Sequence, residues 1–264
     1  MLEVPSVGEL ESIAIRVADM AAAIVAEGVG RSTQLGSKSS PTDIVTDIDV
    51  ASETAIRAQL AIDTPECGII GEEHGDTEHR ARLQWIVDPL DGTVNFSYGA
   101  PIFSVSIAAA IDGEIVAGAV VDAIRGDVFS AARSLGARRN GSPISVTNCD
   151  QLSQALIATG FSYQPELRAL QGDVIRQLLP SARDIRCFGS AALNLCWVGT
   201  GWVDGYFERD TKLWDYAAGS LIAEEAGAMI ELPCPENDGL SIAATPAIFE
   251  TLRTIVEMPA NNYA

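Results

Sequence analysis

The stretch Trp85-Ile-Val-Asp88-Pro-Leu-Asp91-Gly-Thr93-Val-Asn-Phe96 decides how the rest of the chain is read. Leu83–Asp88 is a short apolar run ending in a carboxylate, the pattern of a buried strand that delivers an acid at its end. Pro89 fixes φ and stiffens the turn. Asp91 follows three residues after Asp88, so two carboxylates can converge on one point. Gly92 lets the backbone approach a ligand closely, and Gly92 and Thr93 offer N–H groups for a phosphate if a helix starts there. Carboxylates, a backbone carbonyl and waters are the ligands Mg²⁺ prefers. An Asx turn closing a loop accounts for the same D-P-x-D tetrad.

Further acids lie on either side. Cys67–Glu72 is a second short strand, and a neighbouring position in one sheet would set Glu72 beside Asp88; by itself Glu72 reads as a solvated loop acid. Trp214-Asp215 precedes an apolar helix, where a plain N-cap aspartate is the simple reading. Asp43, Asp47 and Asp49 precede the second helix, and Asp49 reads equally as its cap. Unpaired acids gathered in one place repel, so they are stable together only with cations between them.

Residues 8–27 carry Leu10, Ile13, Val17, Ala21, Ile24 and Val25 at helical spacing, with Gly28 as the stop. Residues 28–42 read as a mobile loop, and a second helix is expected over about 49–62. Residues 103–147 form a meander punctuated by Asp112-Gly113, Arg125-Gly126 and Asn140-Gly141. Beyond 150 the rhythm alternates: strands at 155–160, 184–188, 203–208, 228–232 and 240–244, and helices at 165–179, 190–200, 215–226 and 246–257. This predicts an α+β, or layered α/β, sandwich. The change of rhythm divides an N-terminal part (1–150) from a C-terminal part (151–264) of one compact unit.

Composition narrows the chemistry. The 264 residues are 47% hydrophobic and 20% charged, which suits a folded chain with a sizeable core. Acids outnumber bases 36 to 17, for a net charge of −19, which disfavours nucleic acid or an anionic membrane as partner. With only His74 and His79, histidine-based catalysis is disfavoured. Five cysteines without a C-x-x-C pair read as reduced thiols, and the acidic amphipathic first twenty residues do not read as a signal peptide, so a cytoplasmic location is expected. The longest uncharged run, 187–203, is too short and polar to span a bilayer.

W-I-V-D-P-L-D-G-T-V-N-F (85–96) resembles the first signature of the inositol monophosphatase family, and W-D-Y-A-A-G-S-L-I-A-E-E-A-G (214–227) resembles the second. The resemblance extends to K-S-S-P-T-D-I-V-T-D-I-D (38–49), G-E-E (71–73) and G-S-A-A-L-N-L-C (189–196), in matching order along nearly the whole chain. It implies an αβαβα five-layer sandwich, a homodimer, and Mg²⁺-dependent hydrolysis of a phosphate monoester by in-line attack of an activated water. By the same resemblance, Glu72, Asp88 and the Leu90 carbonyl match the ligands of a first metal, and Asp88, Asp91 and Asp215 those of a second. Asp49 matches the acid of a weaker third metal, next to an extra carboxylate at Asp47. Thr93, paired with Glu72, matches the residue that orients the water, and Gly92 with Thr93 the phosphate-binding backbone. Asp91, Ser190, Ala191 and Glu208 match substrate-contacting positions, and Lys38 a lysine on a mobile loop.

The implied substrate is a small phosphorylated polyol, inositol 1-phosphate first. Histidinol phosphate is the nearest rival, ahead of fructose 1,6-bisphosphate and 3′-phosphoadenosine 5′-phosphate. A non-catalytic scaffold on the same fold would have lost metal ligands, and here Glu72, Asp88, Asp91, Thr93 and Asp215 all stand. Other features have plain readings. Gly28-x-Gly30 lacks a nucleotide-binding context, His74 is a loop histidine, Cys187 and Cys196 read as packed rather than reactive, and Trp197 and Trp202 as packing of the core or a dimer interface.

Overall fold

Ser6 opens helix α1 (Val7–Gly28) with a reciprocal cap, its hydroxyl accepting the Glu9 amide while the Glu9 carboxylate accepts the Ser6 amide. Leu10, Val17, Ala21 and Val25 are buried as the spacing predicts, with Ala14 beside them, whereas Ile13 and Ile24 are only half-buried at the edge of that face. The helix stops at Gly28, as expected from the sequence to within one residue. Gly28 is the last helical residue, and a Cβ there would come within 2.6 Å of the Ile48 side chain. The computed structural model describes residues 4–37, 44–77 and 81–257. Lys38 and Asp43 lie outside the described residues, as does His79.

Part of the segment read as a loop is a strand. β1 (Gln34–Ser37) pairs antiparallel with β2 (Ile44–Thr46). At four and three residues the strands are too short for period-two patterning to reveal them. Thr46 then caps α2 (Asp47–Asp63). Next come β3 (Gly68–Gly71), β4 (Gly75–Thr77), β5 (Leu83–Asp91) and the short α3 (Thr93–Tyr98). The meander follows as β6 (Ser104–Ile111), β7 (Glu114–Asp122), β8 (Val128–Ala132), β9 (Ala137–Arg139) and β10 (Ser142–Pro143). Two of its predicted turns, Asp112-Gly113 and Asn140-Gly141, have positive φ at both residues, as two-residue hairpin turns require. The remainder is β11 (Leu156–Thr159), α4 (Pro165–Leu178), β12 (Asp184–Cys187), α5 (Ala191–Gly199), β13 (Gly205–Arg209), α6 (Leu213–Glu225), β14 (Met229–Glu231), β15 (Leu240–Ala244) and α7 (Pro246–Val256). α6 begins two residues before its predicted start, which moves Asp215 from the cap into the first turn.

One sheet has the order β10-β9-β8-β7-β6-β5-β3-β4 and the other β12-β11-β13-β15-β14. Alternating side chains of these strands build three apolar layers. Trp85, Val87 and Ile107 pack under α1 and α2, whereas Ile86 and Ala108 face α5 and α6. Tyr206 and Ala243 close that central layer from the second sheet, and Phe207 and Ile242 face α4 and α7 on the outside. The result is the five-layer αβαβα sandwich, an α+β fold. Full burial of Ile86 and Val87 contributes about 1.5–3 kcal/mol each, which makes the central strand a stiff base for what its end carries. The chain passes from one sheet to the other between Pro143 and Leu156, while α5 and α6 pack between the sheets. All five cysteines are free thiols. No described helix is long and apolar enough to cross a membrane.

Candidate active site

β3 and β5 run parallel, with Gly71 opposite Val87, so the chain leaves both strands at the same edge and brings Glu72 next to Asp88. Ligand sites form at the carboxyl ends of such strands. The β5–β6 ladder then slips between Asp88 and Asp91. Pro89, which has no N–H to donate, and Leu90 make the irregularity, and the Leu90 amide donates to Asp88 Oδ1 at 3.0 Å. The Asx turn and the clustering of acids are therefore both present. The turn is what holds Asp88, only 2% exposed, at the cavity edge.

Asp91 is buried against the start of α5. The Ala191 and Ala192 amides donate to it at 3.2 and 2.9 Å, and the Ser190 and Ser104 hydroxyls also donate. Burial pushes its pKa up, and these neutral donors only partly offset that. Asp215, in the first turn of α6, accepts the Lys212 amide at 2.6 Å. Its pKa is held well above the usual carboxylate range, first by burial, then by the negative charge of Glu72 and of Asp91 and Glu208. Glu208, at the end of β13, accepts the Tyr206 hydroxyl at 3.0 Å. Burial and the neighbouring Asp91 and Asp210 outweigh that bond and push its pKa up to about 8.

Gly92 enters α3 with φ of +96°, and a Cβ there would lie 3.0 Å from the carbonyl oxygens of Gly189 and Ile102. The turn needs glycine on both counts. The Thr93 hydroxyl lies 3.1 Å from both Asp49 Oδ1 and the Leu90 carbonyl.

Glu72, Asp88, Leu90, Asp91, Gly92, Thr93, Ser190, Ala191, Glu208 and Asp215 thus line a single cavity of about 680 Å³. Asp49 does not. It is fully buried behind Thr93, with Oδ2 taking the Thr46 amide in a reciprocal cap of α2 and Oδ1 facing Thr93. The cap of α2 is Thr46, not Asp49 as the sequence suggested, because the helix starts two residues earlier; Asp49 sits in the first turn, bonds back to that cap and also contacts the site through Thr93. Ser190 is also fully buried, its hydroxyl bonded to Asp91 and accepting the Leu193 amide as the cap of α5.

Sequence reasoning missed Asn95, whose side-chain amide donates to the Ile102 and Phe188 carbonyls at 2.8 and 2.7 Å and joins the two halves of the wall. Its place inside the G-T-V-N-F stretch was the available signal. The wall also takes in Phe161, Tyr163 and Arg168 before and on α4, and Lys212, which pairs with Asp210 at 2.7 Å.

Among the described residues no three His, Cys, Asp or Glu side chains are already closed around one point. The donor chemistry nevertheless suits a hard divalent cation. Glu72, Asp88, Asp91, Glu208 and Asp215 line one cavity with Leu90, and desolvation raises Asp91 and Asp215, Asp215 further through the charge of Glu72 and Asp91. A cation among them relieves that penalty.

The Inositol monophosphatase family profile matches residues 6–257. The chain belongs to the inositol monophosphatase family. An inositol-1-monophosphatase of Mycobacterium leprae is 45% identical over 81% of this chain and 78% of its own length. A protein of Pasteurella multocida named Nus factor SuhB is 41% identical over 91% of this chain and 93% of its own. The solved structure of Mycobacterium tuberculosis SuhB superposes with a TM-score of 0.82 at 38% identity, covering 96% of this chain and 98% of that one. The family is a metal-dependent phosphatase family, which agrees with a cavity walled by carboxylates.

Proposed function

We propose that this member of the family hydrolyses a small phosphorylated polyol, inositol 1-phosphate first, with Mg²⁺. The observation that carries the reading is the convergence of Glu72, Asp88, Asp91 and Asp215, from three separate parts of the chain, on one cavity faced by Glu208. Glu72, Asp88 and the Leu90 carbonyl would hold one ion, and Asp88, Asp91 and Asp215 a second. When bound, Mg²⁺ supplies positive charge against the phosphoryl oxygens and acidifies water.

The chain's own groups do the rest. Thr93, by donating its proton to Asp49 or Leu90, keeps lone pairs on Oγ1 that can accept a hydrogen bond from the attacking water. That bond aims the water's own lone pair toward phosphorus. Asp49 acts through Thr93, and a third ion at Asp49 would need the cap with Thr46 to open. The backbone at Gly92 and Thr93 seats the phosphate. Glu208, set by Tyr206, meets hydroxyls of the alcohol portion, which suits a polyol. Ser190 and Ala191 shape that side by holding Asp91. Lys38 is proposed to reach the phosphate from its loop. A homodimer in the cytoplasm completes the proposal. The name of the Pasteurella relative brings no second reading here, since no feature of the cavity specifies one.

The test is phosphate release from inositol 1-phosphate, L-histidinol phosphate, fructose 1,6-bisphosphate and 3′-phosphoadenosine 5′-phosphate, with Mg²⁺ and with EDTA. Inositol 1-phosphate should give the highest kcat/KM, abolished by EDTA. A lead for histidinol phosphate would overturn the substrate assignment and keep the metal site. Turnover of none of the four would overturn the substrate assignment and favour the non-catalytic scaffold or a different substrate.

A further inference from the structure

One helix face underlies both acid-bearing turns. Ser52 of α2 is fully buried, and its hydroxyl donates to the Pro89 carbonyl at 2.9 Å, inside the turn between Asp88 and Asp91. The next residue, Glu53, is also fully buried and does not line the cavity. Its Oε2 accepts the Glu73 amide at 2.7 Å and its Oε1 the His74 amide at 3.2 Å, twenty residues along the chain. Arg57, one helical turn on, donates from Nε to Glu53 Oε1 at 2.7 Å and from Nη2 to the Gly75 carbonyl. Residues 73, 74 and 75 are therefore all tied to this one ion pair. Gly71 lets the strand end come this close, because a Cβ there would strike the Glu53 carboxylate and come within 2.6 Å of Arg57 Nη2.

A buried carboxylate is costly unless it is paired and its oxygens are bonded, and Glu53 meets both conditions. With Arg57 neutralising it, Glu53 serves as a fixed acceptor for amides and adds no unpaired charge beside the cavity acids. We propose that Glu53 is a positioning residue for Glu72: by holding the amides on the far side of Glu72 it fixes the 71–75 turn and aims the Glu72 carboxylate into the cavity. This rests on the reading of Glu72 as a metal-holding acid.

The test uses the full chain. Glu53→Gln keeps the size and one acceptor oxygen but turns the other into a donor facing an amide N–H. Amide hydrogen exchange at Glu73 and His74 should then accelerate at least about tenfold. Mn²⁺ binding, read as free Mn²⁺ by electron paramagnetic resonance, should weaken about 10- to 100-fold. The Mg²⁺ concentration giving half-maximal turnover should rise in parallel, with kcat at saturating Mg²⁺ near the parent value. Arg57→Lys, which retains the charge and loses the second contact to Gly75, should give smaller changes of the same sign and serves if Glu53→Gln does not fold. Glu11→Gln is the control. Glu11 is a buried acid on α1 that accepts the Ser130 hydroxyl at 2.8 Å, so its loss should change stability and neither readout. Parental exchange at Glu73 and His74 in folded Glu53→Gln would overturn the proposal, as would faster exchange with parental Mn²⁺ affinity. If Glu72→Gln binds Mn²⁺ as tightly as the parent, the reading of Glu72 fails instead, whatever the exchange shows.

Discussion

Replacing Ser190 by alanine separates two roles for one hydroxyl. By resemblance Ser190 contacts the substrate; in the structure its hydroxyl caps α5 through the Leu193 amide at 3.3 Å and donates to Asp91. Loss of a Ser cap costs about 0.5–2 kcal/mol. Loss of a hydrogen bond to a charged acceptor costs about 1.5–3 kcal/mol. Asp91 keeps the Ala191 and Ala192 amides and Ser104, so the second figure applies at its lower end. The sum is about 2–4 kcal/mol, or roughly 5–12 °C in Tm for a chain of this size. Thermal and urea unfolding of the metal-free protein measure it, followed by KM and kcat across Mg²⁺ concentration. The expected result is lower stability, weaker Mg²⁺ activation through a loosened Asp91, and an unchanged KM at saturating Mg²⁺. A raised KM with stability within about 0.5 kcal/mol of the parent would refute the reasoning, because a surface-like response is incompatible with a buried cap.

Three further outcomes are expected. Asp88→Asn keeps the Oδ1 that accepts the Leu90 amide, so the fold should survive by circular dichroism while turnover falls on the order of 10³-fold; retained activity would remove Asp88 from the site. Gly92→Ala must adopt φ near +96° and press on two carbonyl oxygens, so it should lose at least about 1–2 kcal/mol in urea unfolding, and an unchanged midpoint would contradict the turn geometry. Glu208 has a folded-state pKa raised to about 8, so in the metal-free protein its contribution to stability is complete below the unfolded value of about 4.3 and declines as pH rises through 8. Stability measured from pH 5 to 9 should show that decline, and Glu208→Gln should make it shallower, with the raised Asp91 and Asp215 supplying the remainder.

The long helices and the two central strands were legible because burial on one face imposes a spacing that burial leaves in the sequence. α1 and β5 follow their patterns to within a few residues. The β1–β2 hairpin was not legible, because its short strands bury little and so carry no alternation. Asp49 was ambiguous for a physical reason. Bonding back to the cap of α2 and contacting Thr93 call for the same short carboxylate, and the structure uses one oxygen for each. Asn95 sat in plain view within a motif, yet its partners, Ile102 and Phe188, are known only once the chain has folded back.

By itself the sequence determined the kinds of element, the acids available and the family, all of which follow from local spacing and residue type. Only the tertiary structure decided which acids share the cavity and which stand behind it. Glu72 meets Asp88 through strand register, and Asp91 meets α5 across a hundred residues. Ser190 faces Asp91 rather than open solvent, and Glu53 reaches the turn beyond Glu72. These are contacts between distant segments. They arise because burying apolar layers fixes where the strand ends meet, and a buried polar group must then find its partner among whatever the fold has placed within reach.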